Sequence, residues 1–534
     1  MTSLDQLREA VEAAAADLAN GDGRPRARPT LERPKQAGHG DYSTNAAMLL
    51  APVLKDKPRA IAERLRAGLE DRLGNLVDRV EVAGPGFLNL FLADAWYVAA
   101  AERVLEAGDR WGAGGAGEPR RVNVEFISAN PTGPLTAAGG RHAAFGDALA
   151  RILAFQGHTV HREYYVNDQG GQTLRLAASI RARARGEAVP EDGYQGEYVA
   201  ELAARIPGAT EMDEQPLADA GTALLVEQIK RSVAAFRVDY DTWFSERTLH
   251  EGPIEHAYDR LREQGHVYEH EGALWLRTTT FGDDKDRVLR RSTGAHTYFA
   301  ADIAYHLDKV ERGWEVLIDV WGADHHGYVP RMKAAFAALG QDPDRLELLI
   351  MQFVNVIERG ERASMSKRRG DFVTLDDLVA DIGVDAARYF MLQRSHDTTV
   401  DLDLDLAREQ SNENPVYYVQ YAHARIASML RKAAGIEPVA DASHALHPSE
   451  RDLVKKLLSF PDEVDEAAER RAPHRIATYA LELAQTFTAF YRDCRVLGAE
   501  EPGAEAFRLA LCVATQRTIA GALDLLGVTA PEQM

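Results

Sequence analysis

The stretch that most constrains this chain runs from Val122 to Val166. It reads VNVEFI, then SANPTGPLTAAGG, then RHAAFGDALARILAFQG, then HTVHREYYV. An apolar run, a proline-rich turn, an alanine-rich helical pattern of about 139–156 closed by Gly157 and a second apolar run make a β-α-β unit. Such a unit commits the chain to a parallel sheet with helices on both faces. It also leaves the helix N-terminus, lined by small residues, with free backbone N–H groups that suit a phosphate. A second turn of the same kind follows EVLIDV, where WGADHHGY leads into another helix. Ligands of such sheets bind outside the carboxyl ends of the strands, where both turns are expected.

At 534 residues the chain exceeds one core. Residues 1–110 read as a small α+β unit. It has a leading acidic amphipathic helix, the stretch GHGDYSTNAAM, a helix near 58–73 and two strands around AGPGF. The glycine-rich WGAGGAGEP is a linker. Residues 118–404 read as the doubly wound α/β unit, interrupted by a helical insertion at about 170–265, and LLIMQFVNVI within it reads as one buried strand. From 405 to 534 the periodicity is helical throughout. No run of about 18 apolar residues occurs, which excludes a spanning helix. The N-terminal helix has no basic-then-apolar leader pattern. Cys494 and Cys512 are the only cysteines and have no metal or disulfide spacing, which suits a reducing cytoplasm.

The formal charge of −20 argues on its face against a nucleic-acid partner, although local patches decide such contacts. One basic patch is Arg24, Arg26, Arg28, Arg33 and Lys35, which reads equally as a solvated loop. The chain has eleven lysines. Lys367, in the cationic loop MSKRRG, is a flexible point charge suited to a transient phosphate. Tyr298 and Asp302 stand at i, i+4 in TYFAADIAYHL and share a helix face. Tyr418, Tyr421 and Arg425 share another, in NPVYYVQYAHARI, and supply the aromatic and cationic groups that unstacked bases need.

SANPTGP, EYYVNDQGGQ, WGADHHGY, MSKR and SNENPVYYVQYAHAR, in that order, resemble bacterial arginyl-tRNA synthetases, a family of class I aminoacyl-tRNA synthetases. The resemblance spans the chain. It implies a Rossmann-type catalytic domain, an additional N-terminal tRNA-binding domain and an all-α anticodon-binding domain. It also implies activation of L-arginine by ATP, with Mg2+ accompanying the nucleotide and no fixed protein metal site. The arginyl group then passes to the 3′ end of tRNA-Arg. A cytoplasmic monomer is expected.

The resemblance carries site residues with it. Glu125, Asn130, Tyr298, Asp302 and Asn89 are placed at arginine, with Asp302 facing the guanidinium. Pro134, Gly139, Gly322, Asp324, His325, Met365 and Arg368 are placed at ATP, the division of roles between Asp324 and His325 staying open. Ser366 and Lys367 are the catalytic pair of the cationic loop. Tyr42 and Asn45 are placed at the tRNA D-loop, and Tyr418, Tyr421, Arg425 and the terminal Met534 at the anticodon.

One family signature is absent. Where the family has His-x-Gly-His after Pro-Leu, this chain has Thr136, Ala137, Ala138 and Gly139. Losing one donor aimed at developing charge costs roughly 10²–10³ in rate, so two losses ask for a replacement. The expectation is that Thr136, backbone N–H groups and the imidazole of His142, reaching back past Gly139, hold the phosphates. The alternative is a paralogue that binds tRNA or arginine without activating it.

Overall fold

The computed structural model describes residues 3–19, 28–34, 38–362 and 373–534. Met365, Ser366, Lys367 and Arg368 lie outside the described residues, as do Arg24, Arg26 and Lys35 of the basic patch.

The N-terminal residues build a sheet of their own. Their elements are α1 (Ser3–Ala19), β1 (Leu31–Glu32), β2 (Tyr42–Thr44), α2 (Ala46–Leu54), α3 (Pro58–Leu73), β3 (Val77–Ala83), β4 (Phe87–Leu92) and α4 (Asp94–Ala107). The strands are antiparallel in the order β1-β2-β4-β3, and Leu88, Leu90 and Leu92 bury one face of β4. Two of the three sequence expectations here fail, those for Tyr42 and Asn89. Tyr42 is 4 % exposed and meets Trp96 edge-on, so its ring is core and cannot stack on a base. Asn45 precedes α2, and its side-chain oxygen accepts from the Thr30 N–H at 2.9 Å. Asn89 is buried inside β4, opposite Ser43 and Glu81, which removes it from the arginine site. In sequence, a strand such as FLNLFL does not reveal that its polar position is buried while Phe87 on the same face is exposed.

The β-α-β unit folds as read: β5 (Arg121–Glu125), α5 (Ala137–Phe155) and β6 (Thr159–Val166). The helices α6 (Gly171–Arg185), α7 (Glu197–Arg205) and α8 (Glu214–Ala235) follow, around a separate apolar cluster. The helical insertion stops there, short of the expected residue 265. Thr242–Ser245 is strand β7, parallel to β6 at the sheet edge. Next come α9 (Pro253–Glu263), an antiparallel sheet of β8 (Val267–His270), β9 (Ala273–Leu276) and β10 (Arg287–Arg290), and α10 (Tyr298–Glu311). β11 (Val316–Gly322), α11 (Val329–Ala338) and β12 (Leu346–Met351) complete the parallel sheet, in the order β12-β11-β5-β6-β7. The switch of direction between β5 and its two neighbours puts the β5 and β11 turns side by side.

The apolar run LLIMQFVNVI is two strands, not one. It breaks at Gln352–Phe353, and β13 (Val354–Glu358) joins another sheet with β14 (Glu361–Arg362) and β15 (Val400–Asp403). α12 (Leu375–Leu392) precedes β15, and α13 (Leu404–Arg408) follows it. Five longer helices then end the chain: α14 (Pro415–Lys432), α15 (Pro448–Leu458), α16 (Phe460–Glu469), α17 (His474–Asp493) and α18 (Ala504–Leu525). These helices return to the N-terminal unit through Arg8–Asp462, Arg451–Asp94 and Lys455–Asp41 ion pairs. Among the described residues no helix is long and apolar enough to cross a membrane.

Helix α5 lies against the sheet through Gly146, where a Cβ would sit 2.1 Å from the Phe126 ring. Gly139, in the first turn, faces only the side chain of its own Leu135, at 3.4 Å. Alanine gains about 1 kcal/mol of helix propensity at either position. Gly146→Ala should nevertheless lower stability by about 1–3 kcal/mol through overpacking, while Gly139→Ala holds or raises it. Thermal unfolding of the two variants checks this.

Candidate active site

The turn after β5 is strained and firmly held. Ile127 and Ser128 have φ of 68° and 41°, a left-handed conformation that a β-branched residue adopts only under constraint. Three tyrosine hydroxyls donate to the turn's carbonyls: Tyr240 to Phe126, Tyr164 to Ala129 and Tyr198 to Thr132, at 3.0, 3.1 and 2.8 Å. Ser128 Oγ donates to Glu125 Oε1 at 2.8 Å and accepts from the Tyr165 N–H at 3.1 Å. Glu125 is buried, and its other oxygen meets Lys309 Nζ at 2.6 Å. Asn130 is half-buried in the same turn.

The N-terminus of α5 is fixed to the residues just before α12. Ala137 N–H donates to the Val373 carbonyl and Leu375 N–H to the Leu135 carbonyl, at 3.0 and 2.8 Å. Thr136 caps α5, its Oγ1 accepting from the Gly139 N–H at 3.4 Å. Ala138 and Gly139 are partly exposed, so the backbone of the first turn is accessible, whereas Pro134 is buried beneath it and offers no contact surface. Arg141 is also buried. Its guanidinium donates to four carbonyls, of Gln352, Phe353, Ser395 and Thr398. It thereby holds the break between β12 and β13 and leaves Phe353 62 % exposed.

His142 does not reach back to the place of a lost histidine. It packs against β11 at the Val320 carbonyl, and burial drops its pKa to about 4. Its Nδ1 is buried without a partner. The ring is therefore neutral and belongs to the helix–sheet contact. Glycine at 139 clears a path, but the ring turns to the Val320 carbonyl on β11, where the charges of Asp324 and His325 also reach it.

A pocket of acidic groups lies beyond the carboxyl ends of β5, β6 and β11. Asp302, on α10, accepts from the Tyr328 hydroxyl at 2.6 Å, and burial raises its pKa. Glu246 is 3 % exposed and its Oε2 has no partner. Burial, then the charges of Asp302 and Asp168, push its carboxyl up to about 8. Asp168 is held by Ser245 Oγ at 2.5 Å and by the Arg247 N–H at 3.1 Å. Tyr298, 60 % exposed, lies over Gly170, where a Cβ would sit 2.9 Å from its hydroxyl. On the β11 side Asp324 folds over Gly322 and pairs with His325 at 3.4 Å, both side chains being largely exposed. Glu246 is buried and Asp302 half-buried, and the two carboxyls share one hydroxyl donor and an orphaned oxygen, which suits a cation with several N–H donors.

Sequence reading misses Glu246, which comes from an unpatterned stretch, and Asp168, which lies inside EYYVNDQGGQ but is given no role by the resemblance. Only their convergence on Asp302 marks them. The Asn-Asp-Gln-Gly-Gly and Ser-Glu-Arg segments, at the carboxyl ends of β6 and β7, are the available signal.

On the helical C-terminal face Tyr421 is exposed and lies parallel to Tyr417 at 6.2 Å, a partner the sequence reading did not name. Arg425 sits over the Tyr491 ring at 4.3 Å. Tyr418 is half-buried, its hydroxyl donating to Thr488 Oγ1 at 3.0 Å, so it serves the helix contact more than an open face. Met534 is exposed, and the chain before it docks on α14 through Gln420 to the Thr529 carbonyl and His423 to the Pro531 carbonyl.

A parallel sheet with two polar turns at its switch point and a helical unit behind it is the fold of class I aminoacyl-tRNA synthetases. The methionyl-tRNA synthetase of Mycobacterium tuberculosis shares it at a TM-score of 0.57 and 14 % identity, over 77 % of this chain and 92 % of that one. Closer likeness is to the arginyl enzymes. The Thermus thermophilus arginyl-tRNA synthetase superposes with a TM-score of 0.77 at 27 % identity, over 99 % of this chain and 100 % of that one. The arginine–tRNA ligases of Geobacillus kaustophilus and Bacillus subtilis are 48 % and 46 % identical, each over 99 % of both chains. Residues 5–92 match the arginyl tRNA synthetase N terminal domain, 195–428 the class I (R) tRNA synthetase catalytic domain and 419–534 the DALR anticodon binding domain. The chain belongs to the arginyl-tRNA synthetase family.

The acidic pocket leaves a mark on stability. A carboxyl near 8 when folded and 4.5 when unfolded binds more protons in the folded state between those values. Folding stability therefore falls as pH rises across this window, by up to about 1.4 kcal/mol per unit. Glu246→Gln should remove that loss, so thermal unfolding of wild type and variant should diverge between pH 5 and pH 8, with the variant the more stable at pH 8.

Proposed function

We propose that the chain is an arginine–tRNA ligase. It activates L-arginine with ATP, releasing pyrophosphate, and transfers the arginyl group to the 3′ end of tRNA-Arg. The observation that carries this reading is the pair Asp302 and Glu246, which lacks a cation of its own. A guanidinium satisfies both carboxylates with its planar set of donors, and Tyr298 and Tyr328 line the approach. Glu125, at the strained turn, takes the α-ammonium group of the substrate, with Asn130 beside it. This leaves the arginine carboxylate free to attack the α-phosphate of ATP.

The phosphates lie at the N-terminus of α5. The Ala138 N–H, the first-turn donor left over once Ala137, Gly139 and Gly140 have bonded, and the helix dipole stand in for the two imidazoles. The first turn has no acidic residue to hold a metal, so Mg2+ enters with the nucleotide. Ser366, Lys367 and Arg368, with Met365, close over the phosphates as charge develops, with Lys367 the main cation. Gly322, Asp324 and His325 take the ribose and adenylate. Residues 1–110 and 405–534 hold the tRNA, and 118–404 performs the chemistry in a cytoplasmic monomer. The relatives carry the name of the active ligase, so nothing favours the non-activating paralogue.

Arginine-dependent ATP–pyrophosphate exchange, with and without tRNA, tests the activity, and its absence in both conditions would refute it. Asp302→Asn and Glu246→Gln should each raise the arginine KM by an amount equivalent to about 2–5 kcal/mol and leave the ATP KM unchanged.

Tyr421→Ala should weaken tRNA charging by about 1–3 kcal/mol through a lost base stack while arginine-binding and the thermal midpoint hold. Unfolding of that variant would make the Tyr417–Tyr421 face a packing surface instead.

A further inference from the structure

Three carboxylates stand in a row across the middle of the parallel sheet. Glu163 on β6 is directly opposite Glu125 on β5, which is directly opposite Asp319 on β11. Three cationic side chains from one face of α10 meet them. Arg312 clasps both oxygens of Glu163 at 2.7 and 2.8 Å. His306 Nε2 is 2.7 Å from Asp319 Oδ2; burial is the largest influence and opposes its protonation, but the charge and hydrogen bond of Asp319 and the bond to the Asp302 carbonyl together raise its pKa. Lys309 Nζ, wholly buried, bridges Glu125 Oε2 at 2.6 Å and Asp319 Oδ1 at 2.8 Å. The reaction as proposed uses Glu125 and has no use for Lys309.

Glu125 has two bonds that fix its plane, one to Lys309 on Oε2 and one from Ser128 on Oε1. Without the ammonium, Asp319 would keep His306, but Glu125 would face it across adjacent strands with no cation of its own. Buried like charges cannot both stay ionised, and one takes up a proton.

We infer that Lys309 is a positioning residue for the α-ammonium group of the amino acid. It keeps Glu125 ionised and turned so that the remaining edge of the carboxylate faces the substrate. The inference rests on the assignment of Glu125 to that group. It divides the amino-acid site into two parts with separate support: the guanidinium end on Glu246 and Asp302, and the α-ammonium end on the Lys309–Glu125 pair. Lys309 thus sets preference for an α-amino acid over a guanidino acid that lacks the amine.

The probes are L-arginine and 5-guanidinopentanoate, which is arginine without its α-amino group. Binding of each is measured by calorimetry to wild type, Glu125→Gln, Lys309→Met and the charge-balanced double variant Lys309→Met with Asp319→Asn, with thermal midpoints recorded. Lys309→Met should weaken arginine by about 10- to 100-fold, the worth of a hydrogen bond to a charged group, and leave 5-guanidinopentanoate within twofold. The double variant should show the same selective loss, because Glu125 has lost its fixing bond although the charges balance; it also answers the question if the single variant does not fold. Equal weakening of both ligands, or a wild-type ratio in the double variant, would overturn the inference and leave Lys309 as a charge balancer of the fold. If wild type and Glu125→Gln bind the two ligands alike, the Glu125 assignment itself fails, and the Lys309 inference with it.

Discussion

The contact between α10 and the carboxylate row of the sheet is the constraint from which the rest of the site follows. Burying three carboxylates side by side is tolerable only because Lys309, His306 and Arg312 arrive together from one helix face. Such a network adds little net stability over an apolar core of the same volume, yet loss of one member costs about 3–5 kcal/mol. It therefore acts as a key. Only one register and rotation of α10 satisfies all three acids. That register puts Asp302 and Tyr298, one and two turns nearer the helix N-terminus, over the carboxyl ends of the strands. The pocket inherits its geometry from salt bridges that lie below it.

The N-terminus of α5, where the phosphates are proposed to lie, is built on the opposite principle. No imidazole faces it from α5, and the fixed elements are backbone: the Leu135–Ala137 segment paired with Val373–Leu375, the capped first turn and the loop that Arg141 holds by its carbonyls. A guanidinium bonded only to carbonyls keeps its charge unneutralised, and burial lowers its pKa to about 10. It sits in the first turns of the helix whose dipole already favours anions.

Much of this was legible in the sequence. The β-α-β unit, both turns and the Tyr298–Asp302 spacing follow from periodicity of 2 and 3.6 residues and land where the topology requires. What could not be read depends on convergence of distant segments. Glu246 carries no local pattern, and its meaning comes from Asp302, which belongs to another element. β7 is four residues of mixed polarity, too short to announce itself inside a helical stretch. Tyr42 and Asn89 look exposed because they are polar, and His142 looks available because its neighbours are small. In each case the tertiary partner — Trp96, the facing strands, Val320 — decides otherwise.

Arg388 on α12 makes a last point about order of assembly. Fully buried, it donates to the carbonyls of Phe236, after α8, and Leu526, after α18, and pairs at 2.5 Å with Asp147 on α5, 241 positions away. Closing a loop of that size costs about 5 kcal/mol of chain entropy before any contact repays it. A growing chain that has completed the parallel sheet still holds this guanidinium without one of its acceptors until the final helix leaves the ribosome. The catalytic unit thus receives its last Arg388 acceptor only when the C-terminal helices are in place. Incomplete chains keep the Arg388–Asp147 pair and the Phe236 bond but leave the Nε–H without the Leu526 carbonyl, so the last helix completes a bond at the heart of the catalytic unit.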